Sequence, residues 1–106
     1  MKATAWNNGH HHESGAGYGF KISASDRDRH FRRSWETILL RIEGQPQFEV
    51  NVKKDSFWNS DCRELIHREI GIWLRKNKMA PWPKRRPPKL ELLHLSENRF
   101  KLQRPS

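Results

Sequence analysis

Two neighbouring segments of this chain alternate apolar and polar residues, and this period of two constrains the fold more than any other feature. Within residues 35–43, the side chains that share one face are Glu36, Ile38, Leu40 and Ile42. Residues 48–52 alternate in the same way, and Gly44-Gln45-Pro46 between the two segments has the composition of a turn. Because successive side chains of a strand point to opposite faces, the pattern predicts a β-hairpin.

Three further segments have the character of strands. Residues 89–95 and 99–103 flank the turn-forming sequence Ser96-Glu97-Asn98, which predicts a second hairpin. A short strand candidate, Tyr18–Ser23, follows a stretch that is rich in Gly and His. That stretch, residues 1–17, has the composition of a loop-like N-terminal segment.

Residues 56–77 carry apolar side chains at spacings of three and four, which is typical of an amphipathic helix. The predicted apolar stripe comprises Trp58, Cys62, Leu65, Ile66, Ile70, Trp73 and Leu74. Gly71 lies inside this segment, where a glycine costs about 1 kcal/mol relative to alanine. We therefore interpret Gly71 as a mark of close backbone packing.

These elements together predict an α+β fold in a single domain that spans residues 1–106. The expected architecture is an antiparallel sheet of about four to five strands, made of two hairpins and a short N-terminal strand. One long helix would cover one face of this sheet and bury the apolar stripe.

Composition and cysteine content indicate the cellular compartment of the protein. No apolar run approaches the roughly 18 residues needed to cross a bilayer, and the N-terminal residues lack the apolar stretch of a signal peptide. Cys62 is the single cysteine, so no intramolecular disulfide can form, and we interpret it as a small buried hydrophobe. We expect a cytoplasmic protein without a membrane partner.

Four blocks of the sequence resemble a family of small prokaryotic proteins that has no assigned activity. The blocks are Met1–Gly9, Gly15–Gly19, Asp26–Phe31 and Ala80–Lys84. Because they are spread over most of the chain, the resemblance implies one structural unit. It assigns no role to any residue.

The strongest functional signal is a basic loop near the C-terminus. The chain has 21 Lys and Arg against 12 Asp and Glu, and the resulting net charge of +9 favours polyanionic partners. The candidate phosphate contacts in the Pro-rich segment are Lys84, Arg85, Arg86 and Lys89. Trp82, just upstream, could stack on a base. The alternative is a solvated loop with Trp82 folded into the core.

A second basic cluster lies between the first strand candidate and the first hairpin. Its members are Arg27, Arg29, Arg32 and Arg33. The planar guanidinium group suits phosphate, so these arginines are candidate nucleic-acid contacts. Asp26 and Asp28 lie among them and favour the alternative of local ion pairs.

The histidines are the candidates for metal binding and catalysis. His10-His11-His12 could ligate a metal, but consecutive side chains seldom face one ion, so we predict neither a metal nor a cofactor. His30 among the arginines could act as an acid or base on a phosphodiester. No partner for it can be placed from the sequence, and His67 and His94 are as easily surface residues. We therefore predict no catalytic residue, and we consider an enzyme less favoured than a binding protein.

Taken together, these features predict a sequence-tolerant module that binds RNA or DNA through the basic loop and the arginine cluster. A protein-interaction module with an acidic partner is the main alternative. A small phosphodiester-cleaving enzyme centred on His30 is the less favoured one.

Overall fold

The computed structural model describes residues 1–105, which form seven strands and three short helices. The strands are β1 (Lys2–Asn7), β2 (Tyr18–Lys21), β3 (Thr37–Ile42), β4 (Phe48–Asn51), β5 (Glu64–Ile66), β6 (Lys89–Ser96) and β7 (Arg99–Gln103). The helices are α1 (Ala24–His30), α2 (Asp55–Trp58) and α3 (Arg68–Lys76). Among the described residues, no helix is long and apolar enough to cross a membrane.

The strands make one mixed sheet in the order β4-β3-β7-β6-β1-β2-β5. Strands β3 and β7 run parallel, and the other neighbouring pairs within residues 1–105 are antiparallel. The two edge strands of this sheet, β4 and β5, lie close to each other. The Phe48 ring at the start of β4 stacks on the ring of His67, which directly follows β5, with centroids 4.3 Å apart. Gln45 Nε2 also donates a hydrogen bond of 3.3 Å to the Glu69 carbonyl. The sheet is therefore a nearly closed barrel.

Both predicted hairpins are present in this barrel. In the first, Ile38 of β3 is opposite Val50 of β4, and both side chains are fully or almost fully buried. The second pairs β6 with β7 and places Leu92 opposite Leu102, both completely buried. Alternation along these strands sends every second side chain into the barrel interior, which is the hydrophobic core.

The prediction of one long helix over residues 56–77 is wrong. The segment contains α2, then β5, and only then α3. Asn59 ends α2, and its Oδ1 accepts hydrogen bonds from the backbone N–H groups of Asp61 and Cys62. Arg63 then adopts a left-handed backbone with φ of 62°, which redirects the chain into β5. Pairing of β5 with β2 outweighs the helical spacing here, as tertiary contacts often do.

The N-terminal segment also differs from the prediction. Residues 1–17 are only partly loop, because β1 lies in the middle of the sheet between β6 and β2. Ala3 and Ala5 alternate into the core and are 2% and 4% exposed. Alanine is a poor strand former, so this short alternation gave no β signal.

The overall architecture differs accordingly from an antiparallel sheet of four to five strands under one long helix. Two short helices instead lie at opposite ends of the barrel. Helix α3 packs near Tyr18, where β2 begins, and α1 follows shortly after Lys21, where β2 ends. At the second end, Phe31 stacks on Phe100 with ring centroids 4.6 Å apart. We call these the α3 end and the α1 end.

Candidate nucleic-acid interface

An open groove of about 560 Å³ lies at the α3 end, beside the predicted basic loop. The aromatic, polar and charged residues that line it are Trp6, Asn7, His11, Trp82, Lys84 and Arg85. Strand β1 and the turn after it supply the first three, and the Pro-rich segment supplies the others. We call this the Trp82 groove.

Trp82 lies between the two alternatives that the sequence left open. The indole is half-buried and packs edge-on against His11, with ring centroids 4.7 Å apart. It also contacts the buried Tyr18 ring at 5.8 Å between centroids. The indole is thus fixed against the core while it still lines the groove.

The orientation of the His11 ring follows from a short chain of hydrogen bonds. Arg75 Nη1 lies 3.2 Å from the His11 carbonyl oxygen and 3.4 Å from the Tyr18 hydroxyl oxygen. Arginine has only donors, so the Tyr18 oxygen accepts and its proton is free for His11 Nδ1, 2.9 Å away. Burial, and secondarily the charge of Arg75, lower the pKa of His11. A neutral His11 that accepts at Nδ1 carries its hydrogen on Nε2.

The basic loop contains a tight turn in which the backbone N–H of Arg86 donates to the Pro83 carbonyl at 3.0 Å. Arg85 occupies a left-handed position in this turn, with φ of 67°. Such a position costs a residue other than glycine on the order of 1 kcal/mol. Lys84, Arg85 and Arg86 are all exposed, and the first two line the groove. The turn therefore brings two cations next to the Trp82 indole.

Lys89 is placed differently from the other cations of the segment. It is the exposed first residue of β6, opposite Thr4 of β1, on the barrel wall. It lines a separate surface depression with Lys2 and Glu91. The Trp82 groove therefore has two of the four predicted loop cations in its lining.

Arg27 has a structural environment at the α1 end. The residue is 6% exposed, and its Nη1 donates to the carbonyl oxygens of Phe57 and Asn59 at 3.0 and 2.7 Å. Its Nε also pairs with Asp28 at 3.1 Å. These bonds satisfy carbonyl groups at the C-terminal end of α2, so we leave Arg27 out of the candidate interface.

The other three arginines of the cluster are exposed at the same end. The Arg33 guanidinium lies 4.7 Å from the centre of the Trp58 ring, whereas Arg29 and Arg32 line a pocket of about 390 Å³. This pocket lies near the far end of β6 from the basic loop, since Lys89 and His94 are five residues apart, or about 17 Å. The two predicted basic clusters are thus not one surface.

The structure supplies the partner of His30 that the sequence could not place. His30 Nδ1 and His94 Nδ1 are 3.1 Å apart, and His94 Nε2 lies 2.5 Å from the Glu97 carbonyl. A carbonyl can only accept, so His94 carries a hydrogen on Nε2, and in neutral His94 Nδ1 accepts from His30. Burial, followed by the charge of His94, lowers the pKa of His30.

The contact between His30 and His94 does not support the hypothesis that His30 acts as an acid or base on a phosphodiester. Direct contact between the two Nδ1 atoms leaves no space for a scissile phosphodiester between the rings. An acid and a base that flank a substrate bond each need hydrogen-bond reach to it from a separate side. The pair is therefore not arranged like the two histidines of an acid–base mechanism.

The three consecutive histidines have three different surroundings. His11 faces the Trp82 groove, while His12 Nδ1 contacts Ser14 Oγ at 2.7 Å and His10 is exposed. Among residues 1–105, no three His, Cys, Asp or Glu side chains are grouped as metal ligands would be. Sequence reasoning missed His11 as a groove residue, because its ring packs on Trp82 and its carbonyl accepts from Arg75, and both of these residues are more than 60 positions away in the chain.

Comparison with known proteins gives no relative from which a function could be transferred. No protein-family model, curated protein sequence or solved structure matches this chain. The functional argument therefore depends on the groove itself.

Proposed function

We propose that this protein binds single-stranded RNA or DNA in the Trp82 groove with little dependence on sequence. The observation that carries the proposal is the combination of two indoles, Trp6 and Trp82, with two cations, Lys84 and Arg85, in one open groove. Flat aromatic surfaces stack on bases of any sequence, and adjacent cations contact the phosphates that link them.

Base stacking and phosphate contacts together are strong enough to give measurable affinity for a single strand. Each base stacked on an aromatic side chain contributes about 1–3 kcal/mol. Each neutralised phosphate releases counterions, which adds affinity that decreases with salt. The net charge of +9 would also accelerate encounter with a polyanion.

The groove favours this proposal over the alternatives. An acidic protein partner would pair with the cations and bury the indoles, but the alternation of bases and phosphates along a single strand matches indoles beside cations more directly. Phosphodiester cleavage at His30 would need a base and an acid on either side of the bond, whereas His30 and His94 contact each other directly.

The test is a salt titration of binding, measured by fluorescence anisotropy of a labelled dU12 oligonucleotide. Contacts from Lys84 and Arg85 contribute about −0.7 each to the slope of log affinity against log salt. The double variant Lys84→Ala, Arg85→Ala should therefore flatten the slope by about 1.4 units.

The double variant Arg29→Ala, Arg32→Ala is the matched control, because it removes the same charge at the α1 end. We expect it to leave the slope nearly unchanged, since these arginines lie outside the groove. Equal flattening by both double variants would show that only net charge matters and would overturn the placement of the site. Absence of binding by the parent protein at low salt would overturn the proposed function.

Stacking is tested separately with Trp6→Ala, because Trp6 is half-buried and lies outside the buried core cluster. We expect affinity to fall by roughly 5- to 150-fold, which corresponds to one lost base stack. The salt slope should stay the same. A variant that binds as tightly as the parent would remove the indole from the interface.

A further inference from the structure

We infer that a bound single strand continues from the Trp82 groove along the outer wall of the barrel, where Lys2 and Lys89 contact its phosphates. This inference rests on the proposed function and adds a second, neighbouring binding surface to it. The surface is lined by Lys2, Thr4, Lys89 and Glu91, and we call it the β1 wall. The ligand that covers both surfaces is a strand of several nucleotides and not a mononucleotide.

The β1 wall adjoins the Trp82 groove, because both surfaces are built on β1 and on the chain that leads into β6. Residues 5–7 line the groove, whereas residues 2–4 line a depression of about 390 Å³. On the other side of the path, Pro87 lines the groove and Lys89 lines the depression. The lining of one surface therefore ends where the lining of the other begins, on both segments of the chain.

Alternation along β1 directs three side chains of this path away from the core. Ala3 and Ala5 are 2% and 4% exposed and face the interior. Lys2, Thr4 and Trp6 therefore share the outer face of the strand. From Trp6 to Lys2 the strand advances four residues, or about 13 Å. At roughly 3.4 Å per nucleotide of a stacked strand, this length accommodates about four nucleotides.

The β1 wall has two exposed cations that are not held in ion pairs. Lys89 is opposite Thr4 across the ladder between β6 and β1, so the two side chains start about 5 Å apart. Neither Lys2 nor Lys89 forms an ion pair within residues 1–105. Glu91, opposite Lys2, is the acidic residue in the described lining of the depression. Two cations beside one carboxylate leave the wall positive, which favours phosphates over carboxylates of this chain.

Weak contacts at the β1 wall are effective because the groove holds the strand in place. Phosphates next to the bases that stack in the groove meet the wall as an intramolecular contact, at an effective concentration set by the short chain between them. A mononucleotide in the groove has no such phosphates. Affinity should therefore rise with oligonucleotide length until the wall is covered.

The experiment measures the salt slope of dU12 binding, by anisotropy on the full chain, for the double variant Lys2→Ala, Lys89→Ala. Each lost phosphate contact removes about 0.7 from the slope, so the variant should flatten it by about 1.4 units. Both side chains are exposed, so the variant should fold like the parent, as circular dichroism would show. Glu91→Gln removes the carboxylate that repels a phosphate at the wall. It should tighten dU12 binding roughly 1.5- to 5-fold, the size of one exposed charge interaction.

The matched control is Arg41→Ala, Lys101→Ala, which removes two cations that are opposite each other on β3 and β7. Neither of these strands is a neighbour of β1 in the sheet, so we expect the slope to stay nearly unchanged. Oligonucleotide length is the second readout. The parent should bind dU12 more tightly than dU4, and the variant Lys2→Ala, Lys89→Ala should reduce this ratio, whereas the control should retain it.

The outcomes separate this inference from the proposed function. A slope that Lys2→Ala, Lys89→Ala leaves unchanged would overturn the inference, and the function would stand if Lys84→Ala, Arg85→Ala still flattens the slope. Equal flattening by the control on β3 and β7 would also overturn it, because only net charge would then matter. A parent protein that does not bind dU12 contradicts the proposed function itself.

Discussion

The imidazole of His67 stacks on the phenyl ring of Phe48, with centroids 4.3 Å apart and planes inclined by 30°, across the gap between the two edge strands. The same imidazole caps α3, because its Nδ1 accepts a hydrogen bond of 3.0 Å from the backbone N–H of Glu69. The His67 side chain therefore both bridges the gap between the edge strands β4 and β5, which we call the seam, and caps the N-terminus of α3.

Replacement of His67 by alanine should remove both contributions. An N-cap is worth about 0.5–2 kcal/mol and an aromatic pair about 0.5–1.5 kcal/mol, so we expect a loss of about 1–3 kcal/mol. His67→Asn retains a cap and loses only the stacking, so its loss should be smaller. Urea denaturation followed by circular dichroism measures both. Equal stability of the alanine variant and the parent would show that the seam and cap contribute nothing.

Acidification below pH 6.5 should destabilise the fold. The pKa values of His11, His30 and His67 are each lowered, mainly because burial disfavours the charged ring. Their folded pKa values thus lie below the ordinary value of 6.5, and the unfolded chain binds more protons in this range. The stability that these rings contribute is present above pH 6.5 and is lost as pH falls through the folded values.

Urea midpoints at pH 7.5, 6.5 and 5.5 measure this dependence, and we expect them to decrease in that order. His67→Asn should show a shallower decrease, since it removes one of the three rings that must be protonated. A midpoint that is constant or rises toward pH 5.5 would contradict the neutral state of these rings in the fold.

The alternation of apolar and polar residues predicted strands correctly, whereas the apolar spacing of three and four over residues 56–77 predicted a long helix that does not form. Ile38, Leu40 and Ile42 are buried in β3 as their alternation predicts. Leu65 and Ile66, in contrast, satisfy spacings of three and four but lie in β5, where Leu65 is buried and Ile66 is 37% exposed. In so short a segment the two periods overlap, and pairing with β2 decides between them.

The candidate site was predictable only where its residues are close in sequence. Lys84 and Arg85 stand near Trp82, so composition alone indicated an aromatic and basic loop. Asn7 and His11 reach the same groove because β1 pairs with β6 and β2, a consequence of long-range topology. No local sequence pattern encodes such pairing. For the same reason, the contact between His30 and His94, which are 64 residues apart, could not be predicted from the sequence.

Gly71 was interpreted from the sequence as a position of close packing, and the structure confirms it. A Cβ on Gly71 would lie 2.3 Å from the carbonyl oxygen of Gly15, which is backbone and cannot turn away. Gly71→Ala gains about 1 kcal/mol of helix propensity but must separate α3 from the N-terminal turn. We expect a net loss of about 1–3 kcal/mol, the usual cost of overpacking.

Gly44→Ala provides the contrast, because nothing lies within 4 Å of its Cβ position although φ is +84°. It should cost about 1–2 kcal/mol from the left-handed backbone alone. It should also leave the Trp82 groove untouched, whereas Gly71→Ala should weaken oligonucleotide binding by displacing the turn that carries His11. If Gly71→Ala is as stable as the parent, the close contact of α3 with Gly15 is wrong.

Arg27 should contribute to stability and not to nucleic-acid binding. Its guanidinium donates to the carbonyl oxygens of Phe57 and Asn59 and lies 5.3 Å from the centre of the Trp58 ring. Arg27→Ala leaves these carbonyls without their donor, and hydrogen bonds to charged groups contribute about 1.5–3 kcal/mol. We therefore expect a loss of about 2–3 kcal/mol in the free energy of unfolding.

Two comparisons distinguish this role from a phosphate contact. Arg32→Ala removes an equal charge from an exposed neighbour and should change stability by no more than about 0.5 kcal/mol. Arg27→Lys keeps the charge but lacks the planar fork that reaches two carbonyls, so its stability should fall between those of the parent and the alanine variant. A phosphate contact would instead require Arg27→Lys to bind and fold like the parent. It would also require Arg27→Ala to reduce the salt slope by about 0.7 units with no change in stability.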